Sequence, residues 1–311
     1  MNATPALPVS HQRARPLLGT LVEIAASGTT AEHVQHAIDT AFAAVETVHR
    51  LMSYHAADSD VSRLNRQPVD TPLEIDPHTW EVLQTAQMLS TASQGLFDVT
   101  IAPHLVTLGF LPCGTASDNA APSGNWRHIR LLPDYQVTLA RPVQIDLSGI
   151  AKGYAVDQAI AALRQAGIFA GRVNAGGDLR LFGPEAQTIH VRHPLEPTRL
   201  IPVLQLQDGA VATSAGYYNQ RRHNGRDIMP IIHPETGTAC SSTRSVSVLA
   251  PSCMLADALT KIVHADSDAA RLILPRFQAQ AMLLDGKQPD APCRLIPAPP
   301  LATLHHEYSH A

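Results

Sequence analysis

Apolar residues recur every three or four positions from Val34 to Met52: Val34, Ile38, Ala41, Val45, Val48 and Met52 fall on one helical face. Thr30 stands where the N-cap of that helix belongs. Before it, Leu17 to Ala26 alternates as a strand does. Asp76-Pro77 reads as a cap followed by proline at the first helical position, and Gly95 marks the end of that second helix. Pro112 to Gly124 is rich in Gly, Pro, Ser, Asn and Ala and predicts a loop. A helix then runs from Gly149 to near Gly167. Short β-type runs follow at 171–173, 188–192, 200–206, 210–213 and 244–250, then helices at 254–265 and 268–277 and a strand at 281–284. Strands grouped apart from helices, without regular β-α-β alternation, predict an α+β fold: a mixed or antiparallel sheet with packed helices.

Composition narrows the function more than the fold. In 311 residues, 45% are hydrophobic and 16% charged, an ordinary globular balance that can bury a substantial core. The formal net charge of −4, with no basic run, argues against a nucleic-acid surface as the main activity. No apolar run is long enough for a membrane span. Cys113, Cys240, Cys253 and Cys293 are widely spaced and form no C-x-x-C pair, which argues against a zinc knuckle or a dithiol redox motif. No apolar signal segment or lipoprotein cysteine is read near Met1, so the expected location is cytoplasmic. The expected organisation is a tail over 1–14, one domain over 15–285 and a Pro-rich polar tail over 286–311.

Three segments carry candidate chemistry. Asp146 to Asp157 passes from a β-type run through a small-residue turn into a helix with Lys152 in its first turn. Gly149 and Gly153 would let a phosphate approach the backbone, with Lys152 as a point charge; alternatively the glycines only permit tight packing. No G-x-G-x-x-G is present, which counts against a Rossmann site. Asn174-Ala175-Gly176-Gly177-Asp178 is a second backbone-exposing turn. Further on, Asp257 shares a helix face with Thr260 or Lys261, a carboxylate and a hydroxyl suited to Mg²⁺, although Asp257 in a first turn also offsets the helix dipole. His306-Glu307-Tyr308-Ser309-His310 has the form H-E-x-x-H but ends one residue before the chain does, and it is read as a frayed tail.

These segments, in order with Leu18-Gly19-Thr20, Leu51-Met52-Ser53-Tyr54, Gly95 to Thr100, Ala212-Thr213-Ser214 and Pro234-Glu235-Thr236-Gly237, resemble the FAD:protein FMN transferase (ApbE) family. The resemblance covers about Arg15 to Asp285. It implies a T-fold-like α+β domain that binds FAD in a deep pocket and transfers its FMN half to a Thr or Ser hydroxyl of an acceptor protein, releasing AMP. That acceptor would be a subunit of a redox complex. Rival expectations are an FAD diphosphatase and a non-catalytic FAD-binding protein. By resemblance, FAD contacts fall on Met52, Ser53, Asp98, Gly149, Ala151, Lys152, Gly153, Asn174, Gly176, Gly177, Asp178 and Ser214. Mg²⁺ falls on the Ala151 carbonyl, Asp257 and Thr260.

Three positions depart from the family pattern. Where a His-Ile-Ile-Asp-Pro run is usual, this chain reads Pro230-Ile231-Ile232-His233-Pro234, so His233 becomes the candidate general base beside Lys152 as the second catalytic candidate. The threonine four residues beyond the metal aspartate is replaced by Lys261. A Ser-Gly-Asp-type run reads Ser214-Ala215-Gly216.

Overall fold

The structure, a computed structural model, describes residues 8–112, 123–216, 219–241, 243–286 and 293–296. Cys113, most of the loop expected over 112–124, and the H-E-x-x-H of the last residues lie outside this set.

The chain opens with a hairpin. Strands β1 (Val9–Leu17) and β2 (Thr20–Gly28) pair antiparallel through a two-residue turn in which Leu18 and Gly19 both take positive φ, 56° and 71°. That geometry matches the twist of the flanking strands. The single strand expected over 17–26 is thus the second arm of a hairpin, and residues 9–14 belong to a strand and not a tail. Polar β1 hid this from pattern reading. Its Arg13 and Arg15 reach Asp39 and Glu46 across the surface of the first helix, and none of its residues is fully buried.

That first helix, α1 (Ala31–Met52), is capped by Thr30, whose hydroxyl accepts from the His33 N–H, and its predicted apolar face is buried throughout. Next come α2 (Asp60–Arg66), capped by Ser59, β3 (Leu73–Glu74), and α3 (Pro77–Ala92), capped by Asp76 as expected. A short α4 (Ala102–Thr107) precedes β4 (Ile129–Leu132) and β5 (Gln136–Leu139), which join β3 in a small sheet. Helix α5 (Ala151–Gln165) ends at Gly167, with φ of 72°.

The remaining strands are β6 (Ala170–Ala175), β7 (Asp178–Phe182), β8 (Gln187–Arg192), β9 (Leu200–Leu206), β10 (Gly209–Ser214), β11 (Arg221–His223), β12 (Arg226–Ile232), β13 (Ala239–Ser241) and β14 (Arg244–Ala250). Helices α6 (Cys253–Ala265) and α7 (Ala270–Ile273) lead through a 3₁₀ turn to β15 (Gln280–Asp285) and β16 (Arg294–Ile296). Residues 294–296, expected in a polar tail, form the last strand because their backbone pairs with β15.

Eight strands make the principal sheet in the order β1-β2-β6-β7-β10-β14-β15-β16, and every neighbouring pair is antiparallel. Helix α1 packs on α5, and α5 packs on α6. All three also touch the sheet: α1 on β2, α5 on β6 and β7, and α6 on β7, β10 and β14. The core between them includes fully buried Ile24, Ile38, Phe42, Tyr154 and Ile160. Each such large apolar side chain contributes about 1.5–3 kcal/mol on burial. The α+β expectation is met. Helix starts α5 and α6 and the ends of β6 and β10 converge, and the candidate chemistry lies there.

Candidate active site

Gly153 explains why α5 and α6 touch. A Cβ on it would sit 2.2 Å from the Cys253 carbonyl oxygen, so only glycine permits this approach. The approach brings Asp257 of α6 to the first turn of α5, where the Gly153 N–H donates to its Oδ2 at 3.1 Å. The Ala151 N–H is taken by the Leu147 carbonyl at 2.8 Å. The anion resting on this helix start is therefore the Asp257 carboxylate, which profits from the unpaired N–H groups and dipole expected there. Gly149 differs from Gly153: a Cβ on it would meet nothing closer than the Lys261 side chain at 3.6 Å.

Two lysines flank this carboxylate. Lys152 Nζ donates to Asp178 Oδ2 at 2.7 Å and lies 3.4 Å from Asp257 Oδ2. Lys261 Nζ donates to Asp257 Oδ1, to the Asp257 carbonyl at 3.0 Å and to Ser214 Oγ at 3.3 Å. Asp257 is fully buried, whereas the side chains of Lys152 and Lys261 keep 31% and 18% of their exposure, with their ammonium groups turned onto the buried carboxylates. Thr260 Oγ1 donates to the Asp257 carbonyl and bonds Ser214 Oγ, both at 2.7 Å.

The electrostatics follow from burial and pairing. Burial opposes ionisation of Asp257, but Lys152 and Lys261 outweigh it and hold the carboxyl below its ordinary range. Asp178, buried and facing the Asp257 charge, is pushed up, with both lysines opposing the shift. Lys152 is raised above an ordinary lysine: burial works against its charge, and Asp178 and Asp257 together prevail. His264, buried behind Ser214, donates from Nε2 to the Ser214 carbonyl at 3.1 Å; burial, against that bond, pushes it down to about 4.

The predicted turn between β6 and β7 exists, and it positions Asp178. Asn174 Oδ1 accepts from the Gly177 N–H at 3.1 Å, and its amide reaches Glu23 at 3.2 Å. Gly176 and Gly177 take φ of 64° and 107°.

A narrow cleft opens beside Lys261, lined in part by Phe97, Asp98, Asp146, Ser148, Gly149 and Lys261 itself. Burial raises Asp146 and Asp98 even though Ser148 and Thr100 donate to them. Asp146, Ser148 and Lys261 line the cleft beyond the contacts that the resemblance implies, and the Asp146-Leu147-Ser148 turn is the sequence feature that marks the first two.

The other sequence candidates are placed elsewhere. Met52 and Ser53 close α1, where Ser53 Oγ accepts from the His55 and Ala56 N–H groups, and neither lines the cleft. Ile232 and Pro234 line it, but His233 between them does not. The His233 Nδ1 is buried without a hydrogen-bond partner, while its N–H donates to the Thr238 carbonyl at 2.9 Å. The expected Mg²⁺ donors do not fit an ion in this arrangement. Both oxygens of Asp257 are engaged by ammonium or amide groups, and the Thr260 hydroxyl is spent on protein oxygens. Among the described residues no group of three or more His, Cys, Asp and Glu side chains assembles for a metal.

Known proteins share this architecture and sequence. The chain is 31% identical over 231 residues to a FAD:protein FMN transferase of Vibrio cholerae, covering 69% of each chain. It is 30% identical over 238 residues to the protein of that name in Haemophilus influenzae, covering 70% of this chain and 69% of the other. The crystal structure of the ApbE protein from Thermotoga maritima superposes with a TM-score of 0.80 at 24% identity, over 92% of this chain and 96% of that one. Sequence and fold together define a transferase. Residues 18–283 match the ApbE family, and the chain belongs to it.

Proposed function

We propose that this protein transfers the FMN half of FAD to a Thr or Ser hydroxyl of an acceptor protein and releases AMP. The observation that carries the reading is the pair of lysines on one buried carboxylate at the start of α5, one of which, Lys261, lines a cleft, in a member of a family whose named relatives are FAD:protein FMN transferases. In the reaction, the acceptor oxygen bonds to the phosphorus of the FMN half. The bond from that phosphorus to the bridging oxygen breaks, and AMP leaves with that oxygen. Lys152 and Lys261 offset charge gathering on the phosphoryl oxygens and the leaving group, which act as positioned electrostatic partners. Gly149, where a Cβ would already touch Lys261 and Phe97, leaves the room in which the diphosphate lies against the backbone. Mg²⁺ supplies no step in this proposal, because the side chains of Asp257 and Thr260, two of its three expected donors, are already bonded.

The hydroxyl proton needs an acceptor, and His233, placed between the cleft-lining Ile232 and Pro234 with its Nδ1 free of a hydrogen-bond partner, is the candidate; to act, its ring must turn towards the cleft. His233→Ala is expected to lower kcat by about 100-fold with FAD affinity unchanged. Unchanged turnover would remove His233 from the mechanism. The acceptor protein is proposed to be a subunit of a redox complex bearing a short Thr/Ser motif. Chromatography of the nucleotides tests the whole reading: AMP should appear only when an acceptor is supplied. Free FMN with AMP in its absence would instead mean hydrolysis, and bound FAD without either product would mean a carrier.

A further inference from the structure

Lys261 Nζ sits where a cation belongs. Its donors meet three protein oxygens, two from Asp257 and one from Ser214. A cluster of carboxylate, carbonyl and hydroxyl oxygens around one positive centre is the surrounding a hard metal ion seeks. The cluster is held from behind, since Thr260 Oγ1 ties Ser214 to the Asp257 carbonyl. Charge is balanced as well: Asp178 and Asp257 face Lys152 and Lys261 one for one. A divalent ion at Asp257 would have to displace an ammonium or sit beside it against like-charge repulsion. The lysine stem passes Gly149 and its side chain lines the cleft, so the charge is presented at the opening the diphosphate would enter. Of its three bonds, the one to Ser214 is the longest, and Ser214 keeps Thr260 as a partner if it is lost. That donor is the one available to a phosphate oxygen.

We infer that Lys261 is a built-in replacement for a divalent cation: its ammonium secures Asp257 and meets the FAD diphosphate directly, so this chain binds FAD without Mg²⁺. The inference rests on the FAD reading above and specifies how that site handles the diphosphate's charge.

Calorimetric titration of the full-length protein with FAD, once in EDTA and once in MgCl₂, tests it. The wild type should bind FAD equally, within about twofold, in both conditions. Lys261→Thr, which exchanges the ammonium for a hydroxyl, should lose at least about tenfold in EDTA and recover with Mg²⁺. Wild-type binding that collapses in EDTA overturns the inference and leaves the FAD reading standing; this arm needs no variant. A Lys261→Thr protein that binds in EDTA as tightly as the wild type also overturns it. No FAD binding by the wild type in either condition overturns the FAD reading itself, and the inference falls with it.

Discussion

Asp257 is held by the Gly153 N–H, Lys152 and Lys261, and Lys152 is shared with Asp178. Removing one partner strands buried charge. Lys152→Met should therefore destabilise the protein by about 3–5 kcal/mol in urea denaturation, far more than loss of a surface pair. Adding Asp178→Asn should restore much of that stability without restoring turnover. If the single variant is as stable as the wild type, the pair is not the buried charge network described. His264 gives a pH signature. Its folded pKa, about 4, lies below the unfolded value of about 6.5, so its neutral burial stabilises fully above the latter and is lost as pH falls towards the former. The stability of the wild type relative to His264→Gln should fall by up to about 1.4 kcal/mol per pH unit across that window, and a flat difference would contradict the assignment. That Asp257 gathers with Thr260 and Lys261 was legible from the sequence, because i,i+3 and i,i+4 positions share a face of a helix. The Lys152–Asp178 bond was not, since it joins a helix to a strand across the fold.

Helices were easier to read than strands because they announce their ends. Thr30, Asp76 and Gly167 act as the sequence predicts, and the Asp266 carboxylate caps the turn into α7 by accepting from Asp268 and Ala269 N–H groups. Strands β1 and β11 have no fully buried residue, so no apolar alternation marks them. Strand β7 begins inside the turn that looked purely functional. At Gly153 the tight-packing alternative prevails, since the missing Cβ makes room for the contact between α5 and α6. Gly153→Ala should push these helices apart, cost about 1–3 kcal/mol in thermal or urea unfolding, and weaken FAD binding by moving Asp257. Normal stability and affinity would show that the contact relaxes without affecting the site.

At the scale of the whole molecule, the sheet order does what sequence proximity cannot. Strand β7 lies between β6 and β10, and β10 pairs with β14, which leads into α6. This arrangement gathers Asp178, Ser214, Lys152 and Asp257 from four elements into one cluster. The β8–β9 ribbon leaves the sheet after β7 and returns at β10, with a small apolar cluster of Leu181, Ile189, Leu206 and Val211 at its base. Pattern reading yields elements and fold class, but this order of strands depends on long-range pairing, which no local pattern in the sequence carries. Among the described residues no helix is long and apolar enough to cross a membrane. The central claim is group transfer to a protein, and intact-mass spectrometry of a flavinylation-acceptor domain incubated with this protein and FAD tests it most directly. The account predicts an acceptor heavier by one FMN moiety, formed in step with AMP and also in the presence of EDTA. An acceptor of unchanged mass, while FAD is bound or hydrolysed, would contradict it.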